Sequence, residues 1–209
     1  MATIAVLPVK SFPNAKQRLS GGLEPALRRQ LAEAMLRDVL AALAATVLDE
    51  VVVVTAGHEP TEIAREHGVR TARDLERGHN AAAEIGVQEA LRLGAQRVLL
   101  VPGDCPALDP GEVDQLLARP APPPSLMIVP DRHGTGTNAL LITPPDALRP
   151  SFGPGSARRH ADLAQAAGIP HQTVRIPSLA LDIDTPADLD TLAGLCDIPT
   201  RTHGLLSRC

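Results

Sequence analysis

Three aspartates stand where a carboxylate has little structural work to do. Asp104 follows Val98-Leu-Leu-Val101 and Pro102-Gly103. Four consecutive branched apolar residues are too few for a helix and lack the alternation of a half-wet strand, so they predict a strand buried on both faces. Such strands belong mainly to parallel α/β sheets, whose ligands gather beyond the strands' carboxyl ends. An aspartate there often caps the next helix, but Asp109, Pro110 and Glu112 already offer an N-cap, an N1 proline and a capping-box partner. Asp104 is therefore read as a metal or substrate ligand. Asp182 and Asp184 flank Ile183 in Leu179-Ala-Leu-Asp-Ile-Asp-Thr-Pro186, and in an extended chain alternate residues share a face. Thr185, Pro186 and Asp188 start the following helix without help from either. Two such carboxylates repel each other unless a cation lies between them, and Mg²⁺, a hard ion often shared with phosphates, resolves that conflict. The plain alternative is a solvated acidic strand end.

Cations and anion-binding turns complete the set. Lys10, Lys16 and Arg18 lie in the loop after the first strand, where they would clamp a triphosphate or simply face solvent. Gly134-Thr-Gly-Thr137 lacks the lysine of a phosphate loop and enters a strand, so it suits a small carboxylate or phosphate, or a tight hairpin. In Phe152-Gly-Pro-Gly-Ser156, Ser156 is the expected N-cap, and the amides behind it form an anion site. Asn80, in Gly78-His-Asn80, either caps its helix or reads a nucleotide. Phe12 and Phe152 fall in these loops and are expected to shape a cleft. Seven histidines show no metal-ligand spacing, so each is read as a surface or capping residue. Cys105 is read as a small core residue, because the neighbouring carboxylate would raise its pKa.

The elements that must position these groups follow from periodicity. Strands are predicted at Thr3–Pro8, Val51–Ala56, Val69–Ala72, Val98–Val101, Leu126–Val129 and Ala139–Ile142. Helices are predicted at Glu24–Ala45, Glu59–His67, Asn80–Leu93, Pro110–Ala118, Ala157–Ala167 and from Pro186 onward. Alternation of strand and helix predicts an α/β fold with a mainly parallel sheet. Pro120–Pro124 reads as a surface connection within one domain over residues 1–195, with 196–209 a mobile tail.

Composition bounds the function. A chain of 209 residues with 44% apolar content buries one good core. A net charge of −4, two Phe and no Trp or Tyr exclude a general nucleic-acid binder. Three cysteines without a CxxC form no disulfide or zinc framework. With no leader and no membrane-length apolar run, a soluble cytoplasmic protein is expected.

Taken together, Pro8-Val-Lys10 with Ala15-Lys-Gln-Arg-Leu19, Pro102-Gly-Asp-Cys-Pro106, Gly134-Thr-Gly-Thr-Asn138, Phe152-Gly-Pro-Gly-Ser156 and Leu181-Asp-Ile-Asp-Thr-Pro186 resemble the guanylyltransferases of coenzyme F-420 biosynthesis. These act on phosphoenolpyruvate or 2-phospho-L-lactate. The resemblance runs in order from about residue 3 to 195. It implies a three-layer, Rossmann-like nucleotidyltransferase fold of the glycosyltransferase-A type, with a mainly parallel mixed sheet. It also implies that Asp104, Asp182 and Asp184 bind Mg²⁺, that Thr137, Gly153 and Ser156 hold phosphoenolpyruvate, and that Lys10, Lys16 and Arg18 face the triphosphate. The glycine-rich first loop of wider relatives is missing, so the molybdenum-cofactor guanylyltransferases match less well. The expected reaction is GMP transfer from GTP to phosphoenolpyruvate, with 2-phospho-L-lactate or 3-phosphoglycerate as alternative acceptors. A labile product would pass to a downstream deazaflavin-transferring enzyme. A catalytically silent nucleotide-binding module is the rival reading.

Overall fold

The computed structural model describes residues 1–12, 16–21, 23–195 and 200–206. The apolar runs form one seven-stranded sheet from Thr3–Pro8 (β1), Glu50–Thr55 (β2), Arg70–Arg73 (β3), Arg97–Leu100 (β4), Ser125–Pro130 (β5), Thr137–Thr143 (β6) and His171–Thr173 (β7). Its order is β3-β2-β1-β4-β6-β5-β7. Neighbours pair in parallel except at β6, which runs antiparallel to both β4 and β5.

Alternation along each strand divides the core in two. Ala5, Leu7, Val53 and Leu99 pack on one face with Pro25–Ala44 (α1), His58–Glu66 (α2) and Pro110–Leu117 (α4). Ile4, Val6, Val52, Val54, Val98 and Leu100 pack on the other with His79–Arg92 (α3) and Ser156–Ala166 (α5). Both faces are covered, which is why these strands read as continuous apolar runs. At Gly86 α3 lies close against β1: a Cβ there would collide with the Val6 side chain. Pro177–Ala180 (α6) and Pro186–Ala193 (α7) complete the first face through Leu179 and Leu192.

The topology fixes where a ligand binds. The chain leaves β1 toward β2 but β4 lies on the other side of β1, so a crevice opens at the carboxyl ends of β1 and β4. Because β6 is reversed, its first residues, Thr137 and Asn138, reach the same edge.

Several expectations are corrected. Ser156 is not an N-cap; Gly155 takes that place with φ 69°, and Ser156 is the buried first residue of α5. Asn80 does not cap either, since Gly78 precedes α3 with φ 101°. Asp109 caps α4 through the amides of Gly111 and Glu112, but the Glu112 carboxylate accepts instead from the Ser178 amide, so the capping box is half made. Leu179 and Ala180 belong to a helical turn, and the chain extends only from Leu181. Phe12 is buried in the core as well as facing the crevice. The strand β7 escaped prediction because its three residues are polar and exposed. The expected mobile tail holds a helix over Arg201–Leu206 (α8), whose first amides donate to the Asp38 carboxylate on α1. Cys196 and Cys209 lie outside the described residues.

Candidate active site

The crevice is a cleft of about 590 Å³, of the size that takes small-molecule ligands. It gathers Lys10, Lys16, Arg18, Asp104, Thr137, Gly153, Ser156, Asp182 and Asp184 onto one surface. Of the residues expected to bind metal, phosphate or substrate, Asn80 stays outside the lining. Its side-chain amide donates to the Phe152 carbonyl (3.1 Å) and its oxygen accepts from the Phe152 amide (2.6 Å). It thereby holds a loop of the cleft by the backbone.

One end of the cleft is ionic. The Lys16 ammonium sits between Asp104 (2.5 Å) and Asp184 (3.1 Å), and Arg18 reaches the other oxygen of Asp184 (3.2 Å). Two of the three aspartates expected to be unpaired, Asp104 and Asp184, are therefore paired with two of the three cations expected to face phosphate. Burial alone would lower the Lys16 pKa; the carboxylates of Asp104 and Asp184 outweigh it and raise it, so Lys16 stays charged. Lys16 takes the left-handed conformation at φ 55°, a cost that its two carboxylate partners help to offset. Asp182 has no such cation. It accepts from the Asn138 amide (3.2 Å), while burial and the charge of Asp104 push its pKa up. Two backbone ties hold this end together. The Ile183 amide donates to the Asp104 carbonyl, and the Asp188 carboxylate accepts from the amides of Asp184 and Thr185 and from the Thr185 hydroxyl. With Thr185, this is the capping box expected for α7.

The other end is rich in hydroxyls. Thr137 and Ser156 lie with their oxygens 3.1 Å apart, and the His160 ring is 3.0 Å from Thr137 through Nδ1. His160 is fully buried, not a surface or capping residue, and its Nε2 accepts from the Ser151 amide at 2.9 Å. Burial, helped by the Arg159 charge, lowers its pKa to about 4. Gly153 has φ 125°, a conformation closed to other residues without strain. In the Gly134–Thr137 turn, the amides of Thr135 and Gly136 are already bound by the Asp131 carboxylate at 2.9 Å each. The threonine hydroxyl, not that turn's backbone, is what it offers a ligand.

A family profile described as guanylyl transferase CofC like matches residues 3–195. The chain belongs to that family. It is 50% identical over 198 residues to a phosphoenolpyruvate guanylyltransferase from Conexibacter woesei, covering 93% of this chain and 89% of the relative. A 3-phospho-D-glycerate guanylyltransferase from Colwellia psychrerythraea is 36% identical, with 92% of each chain covered. The fold is that of a nucleotidyl transferase from Methanothermobacter, at TM-score 0.71 and 20% identity, covering 91% of this chain and 95% of the other.

As a CofC-like guanylyltransferase the chain is an enzyme, which removes the silent-module reading. Among the described residues no three His, Cys, Asp or Glu side chains form a ready metal cage. Yet Asp104 and Asp184 already converge on one cation, and the Asp182 carboxylate lines the same cleft. Carboxylate oxygens at this spot fit a hard divalent ion. Cys105 is buried with its pKa pushed well up by that burial, as expected of a core residue. Two contributors were missed from the sequence, Asn138 and His160, while Asp188, expected to start α7, also accepts from the Asp184 amide. The only signal for His160 was its place one helical turn after Ser156, on the same face of α5. No helix among the described residues is long and apolar enough to cross a membrane.

Proposed function

We propose that this guanylyltransferase transfers GMP from GTP to phosphoenolpyruvate, releasing pyrophosphate and forming enolpyruvyl-diphosphoguanosine for coenzyme F-420 biosynthesis in the cytoplasm. The observation that carries this reading is the two-ended cleft. Its ionic end suits a triphosphate, with Lys16 and Arg18 supplying positive charge there and Lys10 elsewhere along the lining. Its hydroxyl end suits a small phosphorylated carboxylate held by Thr137, Gly153 and Ser156. The name of the Conexibacter relative supports phosphoenolpyruvate as acceptor. That of the Colwellia relative favours 3-phosphoglycerate as the second reading, with 2-phospho-L-lactate beside it.

An ionised oxygen of the acceptor phosphate attacks the α-phosphorus of GTP. A new P–O bond forms, the bond to the β-phosphate oxygen breaks, and its electron pair leaves with pyrophosphate. The nucleophile is already deprotonated, so no side chain needs to act as a base. The protein's share is position and charge. Asp104, Asp182 and Asp184 would hold Mg²⁺, which supplies Lewis-acid stabilisation of phosphoryl charge when bound. Lys16 and Arg18 place positive charge where the leaving group gathers negative charge. The product is a mixed phosphate anhydride of an enol, so a deazaflavin-transferring enzyme is its fitting consumer.

The test is pyrophosphate release from GTP and Mg²⁺ with each of the three acceptors, the deazaflavin acceptor system being present to trap product. Release with phosphoenolpyruvate is expected. Release with only one of the others reassigns the acceptor, and silence with all three overturns the proposal.

A further inference from the structure

The hydroxyl end of the cleft contains a proton count that depends on His160. Thr137 and Ser156 carry one hydroxyl proton each, and their mutual hydrogen bond uses one of the two. The second is available to a ligand only if the imidazole beside Thr137 does not take it. A backbone amide can only donate, so the bond from the Ser151 amide to Nε2 requires that nitrogen to be unprotonated. A neutral ring then carries its proton on Nδ1 and donates to Thr137. With the opposite tautomer, Ser156 would donate to Thr137, Thr137 would donate to Nδ1, and the pair would have nothing left for the cleft.

We propose that His160 is a positioning residue for the acceptor: by donating from Nδ1 to Thr137 it leaves the Thr137–Ser156 pair one hydroxyl proton aimed at the acceptor's anionic group. The lowered pKa supports a neutral ring, since burial and the Arg159 charge both oppose protonation. The same ring braces the neighbouring loop. It meets Phe152 edge-on at 5.4 Å between centroids, and Arg159 donates to the Ser151 carbonyl and hydroxyl and to the Pro154 carbonyl. Proton placement and loop bracing are thus separate jobs of two different nitrogens. The acceptor role rests on the function proposed above; the tautomer does not.

Two measurements decide the matter. Long-range ¹H–¹⁵N correlation spectra of the wild-type protein at neutral pH, with His160→Asn used for assignment, should show the Nδ1–H tautomer without any substrate. An Nε2–H ring or an imidazolium overturns the proposal whatever the acceptor proves to be. Kinetics then separate the two jobs, using whichever of the three acceptors the wild type turns over. His160→Asn keeps an N–H near the Nδ1 position and loses the Ser151 bond, whereas His160→Gln keeps an acceptor for Ser151 and loses the donor to Thr137. The expected result is a KM for the acceptor raised about tenfold or more in His160→Gln, the scale of one lost hydrogen bond to a charged ligand. That of His160→Asn should stay within about threefold, and the KM for GTP should be unchanged in both. The reverse order would make His160 only a brace of the loop. A failure of all three acceptors with the Nδ1–H tautomer present would reject the proposed acceptors and leave the proton count intact.

Discussion

Asp182 is the residue on which the chemistry is most exposed to a single atom. Its oxygen accepts from Asn138, and an asparagine at 182 keeps a carbonyl that can do the same. Asp182→Asn should therefore fold and melt like the wild type while losing turnover by at least about a hundredfold, since Lewis-acid stabilisation is worth on the order of several kcal/mol. Pyrophosphate release and thermal melting read the two properties; near-normal rates with unchanged melting would remove Asp182 from the proposed metal site. His160 gives a second prediction, on stability. Its pKa is about 4 in the fold against 6.5 for the free side chain, so between those values the unfolded chain binds more protons. The neutral ring's contribution is complete above pH 6.5 and is lost as pH falls toward 4, amounting to roughly 3 kcal/mol at most. Urea titrations at pH 7 and pH 4.5 should show a smaller acid loss in His160→Asn than in the wild type; equal losses would refute it. The aspartates were legible because the nearby helices had caps of their own. Their pairing with Lys16 was not, because it joins residues 88 and 168 positions apart and no local pattern encodes that closure.

At the scale of elements, the contact between α3 and β1 leaves no room for a side chain at Gly86. Gly86→Ala would drive a methyl into Val6, and β1 ends at the loop carrying Lys10. Overpacking of this kind costs about 1–3 kcal/mol. The urea midpoint should drop accordingly, whereas an unchanged midpoint would mean that the helix can move away. Long apolar periods made α1, α3 and the central strands readable to within a residue or two. What could not be read was which residue ends each helix at the site. Ser156 and Asn80 have capping chemistry, but a preceding glycine with positive φ entered the helix first and left their side chains for other partners. Residue type indicated a polar role, and only tertiary packing chose which.

For the whole molecule, the C-terminal helix is the clearest departure from expectation. Asp38 on α1 accepts from the amides of Arg201 and Thr202 and from the Thr202 hydroxyl, between 2.6 and 2.9 Å. A carboxylate bound to the free amides of a helix start is stabilising, so Asp38→Ala should cost about 2 kcal/mol. Limited proteolysis should then cut near α8 sooner in the variant, while pyrophosphate release stays near normal because Asp38 lies outside the cleft lining. Equal cleavage rates would refute the docking role. The α/β class was plain from alternating strand and helix patterns. The reversal of β6 was not, because an apolar run buried on both faces reads the same in either direction.

That reversal has an evolutionary consequence. The ionic end of the cleft is assembled from segments far apart in the chain, at Lys16, Asp104 and Asp184, and each depends on the others for charge balance. The opposite end is written on one continuous stretch, from the start of β6 at Thr137 to His160 in the second turn of α5. Mutations confined to that stretch, Asn138 with its bond to Asp182 excepted, would reshape the proposed acceptor pocket without touching the Lys16, Asp104 and Asp184 contacts. An architecture of this kind lets a lineage exchange one small phosphorylated acid for another while its nucleotide chemistry is inherited unchanged.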